Sequence, residues 1–242
     1  MMQTKARKPR SDKGPRLTAR DLNALKWIAQ QYAISLDHLC ILLARLIDYQ
    51  EYAQQPKESG EVTVSRANKV IKRWEQLGLI ERGHILYGDP VWVWLTPEGL
   101  RTVNQELGPL CPYAPTPGKI NHLYWINHAR LYIEQQRDDI EWLSERQIHA
   151  NQKSEPGVKQ KHTPDAIVST QGQAIALEVE LATKTYARLD KVLHELALSD
   201  YHTIWYFTLG RAKQVIESAI ENMNSMYKHR FVIYDMDDLE LQ

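Results

Sequence analysis

Apolar residues recur every three or four positions through the first third of the chain and alternate later. Leu22, Leu25, Ile28 and Ala29 form one face of a helix that Thr18 can cap, with Asp21 three residues on, ending near residue 31. Ser35 can cap a second helix carrying Leu36, Leu39, Cys40, Leu42, Leu43 and Leu46. A polar loop over 54–60 follows. The segment VSRANKVIKRWEQLG predicts a third helix with Val64, Ala67, Val70, Ile71, Trp74 and Leu77 on its apolar face, stopped at Gly78. Two strands around Gly88-Asp89-Pro90 come next, then a short helix opened by Thr96-Pro97-Glu98-Gly99.

The second half changes period. An amphipathic helix over 122–137 precedes a strand over 140–148. Residues 163–169 and 174–181 read as two strands joined by a turn at Gln171-Gly172-Gln173. A helix over 185–199, a buried strand TIWYFTL, a helix over 211–227 and a last strand FVIYDM complete the chain. Pro109, Pro112, Pro115 and Pro117 make 108–119 an extended connector. The expected division is a disordered basic arm over 1–16, a first domain over 17–107, the linker over 108–119 and a second domain over 120–242. The fold class expected is α/β (α+β), with a mixed sheet in the second domain.

Composition narrows the function classes. The 30 basic and 30 acidic residues cancel, so bulk charge points to no partner. Their placement is uneven: Lys5, Arg7, Lys8, Arg10, Lys13, Arg16 and Arg20 stand against Asp12 alone at the N-terminus, a polyanion contact or a solubilising tail. The two cysteines, Cys40 and Cys111, form no zinc spacing or disulfide framework. No apolar stretch could span a bilayer and no secretory h-region follows the basic start, so no membrane insertion and a cytoplasmic location are expected.

Three helices followed by a two-stranded hairpin form the winged helix-turn-helix arrangement, in which the third helix enters the major groove. The polar face of that helix carries Ser65, Arg66, Asn68, Lys69, Lys72, Arg73 and Gln76, with Arg82 and His84 near the wing. Arg and Lys can hold phosphates or guanine edges, and Asn can pair with adenine. The same face also reads as simply solvated; its concentration of cations favours DNA.

The chemistry concentrates in HTPDAIVSTQGQAIALEVELATKT. Glu178 and Glu180 lie two apart on a strand and share a face, and a hairpin brings Asp165 near them. Acids converging on an apolar strand pair need a positive charge between them, and Mg²⁺ or Mn²⁺ suits oxygen ligands. The alternative is an outward, solvated strand face.

Pro164-Asp165 followed by Glu178-Val179-Glu180 resembles the PD-(D/E)XK nuclease core, a restriction-endonuclease-like mixed-sheet fold whose acids bind metal. Glu180 stands where that pattern has a lysine. The resemblance leaves three options: Glu180 joins the metal shell, Lys184 supplies the cation, or the site is inert. Glu134 on the opening helix is a further expected ligand. LTARDLNALKWIAQQYAISLDHL, RWEQLGLIER, WLTPEG, NHARLYIE, EWLSERQI, TPDAIV and ALEVELATKT, in this order, resemble replication-relaxation proteins, and within them the MOBC class of plasmid-mobilisation relaxases, from about Leu17 onward. That resemblance implies a relaxase that recognises a plasmid origin of transfer and nicks one strand, with an accessory mobilisation protein and a coupling ATPase as partners. Asp165, Glu178 and Glu180 would be its metal-dependent catalytic acids. None of the nine histidines forms a His-x-His pair, against the histidine-metal type of relaxase. The runner-up reading is a non-catalytic DNA-binding regulator of replication or transcription with a degenerate nuclease-like domain.

Overall fold

The computed structural model describes residues 15–46, 61–153 and 162–241. Most of the basic arm and the polar loop at 54–60 lie outside the described residues.

The first helix, α1 (Ala19–Gln31), forms as its cap predicts. The Asp21 amide donates to the Thr18 hydroxyl, and the Thr18 amide donates to the Asp21 carboxylate at 2.8 Å. A short strand β1 (Ala33–Ser35) precedes α2 (Leu36–Arg45), and Ser35 begins that helix without a side-chain cap. In α3 (Val64–Gln76), Ala67, Val70, Ile71 and Trp74 are buried at helical spacing. Val64, expected on that apolar face, is 55% exposed at the helix start. Strands β2 (Ile80–Gly83) and β3 (Trp92–Leu95) form the hairpin, and β1 joins it in the order β1-β3-β2.

Helix α4 (Pro97–Leu107) follows, capped by Thr96 with Pro97 in its first turn. Gly99 is required there by space: a Cβ would lie 2.0 Å from the Leu79 carbonyl oxygen.

Helix α5 (Pro117–Gln136) begins inside the segment read as a connector, because Pro117 suits a helix's first turn. It serves both halves. Its Leu131 packs into the core around Leu25, Ile28 and Trp74. Its Ile120, Leu123 and Ile126 pack with Ala33 and Trp92 of the three-stranded sheet and with Leu177, Val179 and Phe207 of the larger one. Asn127 fastens the joint by donating to the Ala33 carbonyl at 2.8 Å.

Strand β4 (Glu141–Ser144) covers only half of the strand expected over 140–148; helix α6 (Glu145–Lys153) takes the rest. The Ser144 amide and hydroxyl both donate to the Gln147 side chain, half of a capping box that ends the strand. Strands β5 (Ala166–Thr170) and β6 (Gln173–Glu180) form a hairpin over Gln171-Gly172, both at positive φ, 50° and 75°. That two-residue turn is shorter than the expected three, and Gln173 pairs with Thr170. Helix α7 (Tyr186–Ala197), β7 (Thr203–Thr208), α8 (Gly210–Glu221), α9 (Ser225–Lys228) and β8 (Phe231–Asp235) complete the layer. The single helix expected over 211–227 is broken at 222–224, where Asn224 caps a restart by accepting from the Met226 amide.

The resulting five-stranded sheet is mixed, in the order β4-β5-β6-β7-β8: antiparallel from β4 to β6, parallel from β6 to β8. The protein is therefore α/β with two sheets. Both faces of the central β6 are covered. Leu177 and Val179 face the α5 side, and Ala176 joins Leu189, Leu193 and Tyr206 on the other. Among the described residues no helix is long and apolar enough to cross a membrane.

Candidate functional site

Alternation along β6 puts Glu178 and Glu180 on the α7 side, at the carboxyl end of the parallel strands. Continuing the β5–β6 register one step past Ala166↔Leu177 sets Asp165 opposite Glu178. The Val179 amide donates to Asp165 Oδ2 at 2.8 Å and ties the two strands together there. The hairpin thus brings the acids to one sheet end, as the spacing predicts.

Each acid meets a basic group. His122 Nε2, from the first turns of α5, is 3.1 Å from Asp165 Oδ1. His162 Nε2 is 2.7 Å from Glu178 Oε1. Lys184 Nζ is 2.5 Å from Glu180 Oε2, so the lysine does reach back to the acid in the expected lysine position. Lys184 brings a fixed positive charge to this apolar setting, and the two imidazoles bring nitrogens that can carry one when protonated.

Glu178 is only 5% exposed. Burial pushes its carboxyl up to about 7, against the pull of the His162 hydrogen bond and helped by the negative charge of Asp165. Burial lowers His162, but its bond to Glu178 and the carboxylate charge outweigh this and raise it. His122 is raised in the same way: burial opposes, and the bond to Asp165 with the charges of Asp165, Glu145 and Glu178 prevails.

Tyr206 pairs with Glu178 across β6 and β7. Its buried hydroxyl has no hydrogen-bond partner among the described residues. Burial, reinforced by Glu178, Glu180 and Asp165, holds that phenol well above its usual range. The carboxylate oxygens near it are of the donor type that suits a hard cation. The side chains as they stand are turned to their basic partners, and no three His, Cys, Asp or Glu among the described residues converge to hold an ion.

Glu134 does not join this cluster. It accepts from Trp27 Nε1 at 3.0 Å and from Arg130 Nε at 2.6 Å. It stands twelve positions after His122, about 18 Å along α5. Its carboxylate neutralises the buried Arg130, whose guanidinium lies over the Trp27 and Trp142 rings.

The expected DNA face also divides. Ser65, Arg66, Lys69 and Lys72 are exposed and have no side-chain partner among the described residues. Arg73 is turned inward, in an ion pair with the fully buried Asp21. Burial pushes that carboxyl up, but the Thr18 bonds and the Arg73 charge outweigh it and hold it below the usual range. Arg73 is therefore a structural cation. Arg82 clips β2 to α3, with its Nε 2.9 Å from Glu75 and its Nη1 donating to Asn68 at 3.2 Å. His84 is exposed, its ring bonded to the Asp89 carbonyl across the hairpin turn.

Sequence reasoning passed over His122 and His162, because a lone histidine carries no periodic signal. For His162 a clue was available, since it stands three residues before Asp165. It also missed Tyr32, which has φ 71°, lies under the Arg146 guanidinium, and lines a small cavity with His122 and Asp165. No family model matches the chain, and no curated protein matches it.

Proposed function

We propose that this chain is a DNA-binding relaxase, with a winged helix that docks on duplex DNA and a restriction-endonuclease-like PD-(D/E)XK domain that nicks one strand. The observation that carries the reading is the placement of Asp165 against Glu178 on neighbouring strands, with Lys184 on Glu180. It is supported by the exposed cations of α3 beside a hairpin that Arg82 holds in place. The first residues of such a helix reach base edges, where exposed Val64 suits a thymine methyl and Ser65 a polar edge.

In this reading Asp165 and Glu178, with Glu180 next to them, are the residues that would hold Mg²⁺ or Mn²⁺. The ion would stabilise phosphate charge and lower the pKa of an attacking water. Lys184 supplies a fixed positive charge at the same sheet end. The substrate is a plasmid origin of transfer, worked on in the cytoplasm with an accessory mobilisation protein and a coupling ATPase. Incubation of supercoiled origin DNA with Mg²⁺ or Mn²⁺ tests this: wild type yields open circles, and Asp165→Asn yields none. Equal nicking by both would overturn the assignment.

A second reading, a non-catalytic DNA-binding regulator, is favoured by the basic partner each carboxylate already has. A regulator binds its operator equally well in chelator and leaves supercoiled DNA intact.

A further inference from the structure

Tyr87 is the most exposed large apolar side chain among the described residues, at 107% of its reference area, and Leu86 beside it is 41% exposed. Water-exposed rings at a loop tip lose the apolar burial that aromatic residues ordinarily gain. The loop that presents this ring is ordered by its own bonds. Gly88 takes φ 85°, which an L residue adopts only with strain. The Asp89 amide donates to the Leu86 carbonyl at 3.3 Å, and the His84 ring donates to the Asp89 carbonyl at 3.0 Å.

The hairpin is anchored on both sides. Arg82 ties β2 to Asn68 and Glu75 of α3, the helix with the exposed cations. Ile85, two residues before Tyr87, packs in the cluster that contains Leu123 of α5. Leu123 adjoins His122, which contacts Asp165. The aromatic tip therefore sits on a hairpin held on one side to α3 and packed on the other into the cluster that contains Leu123 of α5.

We propose that Tyr87 is a stacking wedge: the hairpin places its ring against an unpaired or unstacked base in DNA docked on α3, so that the chain prefers locally melted duplex. The proposal rests on the DNA-binding reading above and adds the form of DNA selected. A ring face stacks on any base, so the contact is tolerant of sequence and needs no hydroxyl. An apolar pair such as Leu86 and Tyr87 at a tip suits insertion at a base step, at the cost of unstacking that an already open step does not incur. Nicking acts on one strand, and a melted step exposes that strand.

The test uses the full chain and two fluorescent duplexes of one sequence, one fully paired and one with a short unpaired bubble flanked by 2-aminopurine. Wild type should bind the bubble about tenfold more tightly, or about 1.4 kcal/mol, and change the 2-aminopurine emission through base–aromatic stacking. Tyr87→Ala should bind paired duplex as before and lose the preference, whereas Tyr87→Phe should keep it. The double variant Lys69→Ala, Lys72→Ala should weaken both duplexes alike and leave their ratio unchanged. A preference that survives in Tyr87→Ala, or is missing in wild type, overturns the wedge while leaving DNA binding in place. Full duplex affinity in the double lysine variant overturns docking on α3 instead, and failure of wild type to bind either duplex overturns both.

Discussion

The carboxylate of Asp165 accepts the backbone N–H of Val179, the residue between Glu178 and Glu180, at 2.8 Å. This one bond makes Asp165 both a building part of the sheet and a member of the acidic cluster, and the two roles can be separated by substitution.

Asp165→Ala removes the charge and leaves the Val179 amide without its acceptor, which should cost about 1–3 kcal/mol in urea unfolding. Asp165→Asn keeps an acceptor for that amide and removes only the charge. We expect Asn to hold near-wild-type stability while it abolishes nicking. Nicking that survives in Asn but not in Ala would assign the residue to the scaffold alone.

Arg73 and Lys69 lie one helical turn apart and should behave differently. Arg73→Ala leaves the buried Asp21 carboxylate without its ion partner and should destabilise the protein by about 1–3 kcal/mol, the partly exposed arginine keeping the figure below that of a fully buried pair. Lys69→Ala should leave stability within about 0.5 kcal/mol and lower the salt dependence of DNA binding by about one phosphate contact. Unfolding curves and anisotropy at several salt concentrations check both. A wild-type salt dependence in Lys69→Ala would remove that lysine from the interface.

Glu134→Gln addresses the ligand expected on the opening helix. It should destabilise by about 3 kcal/mol by leaving Arg130 buried without its counter-charge. It should leave metal-dependent nicking per folded molecule unchanged. A selective loss of metal affinity at wild-type stability would return Glu134 to the ion site.

His38 gives the protein an acid limit. Burial pushes its imidazole down to about 4, opposed by the Asp37 charge and reinforced by His128 and Arg45. An unfolded histidine titrates near 6.5, so the unfolded chain binds more protons between these values. The contribution is fully present above about pH 6.5 and is lost as pH falls toward 4, on the order of 3 kcal/mol in all. Melting temperature followed from pH 7 to pH 4.5 should fall steeply in wild type and less steeply in His38→Gln. His128, also lowered by burial, leaves a residual slope. Parallel curves would place the acid sensitivity elsewhere.

What the sequence by itself determined is local. Thr18 with Asp21 starts the first helix, Thr96-Pro97 starts the fourth, and Gln171-Gly172 turns the hairpin that brings Asp165 beside Glu178. These signals work over a few residues, where capping, periodicity and turn chemistry act directly on the backbone. The Ser144 and Gln147 pair is local too, and it ends the strand and starts a helix within the stretch whose apolar pattern predicts strand alone. Tertiary structure alone decided which charges are free. His122 reaches Asp165 across 43 positions, and Arg73 reaches Asp21 across 52. A buried carboxylate recruits whichever basic group the packing of helices and sheet brings within reach, and no spacing along the chain encodes that choice.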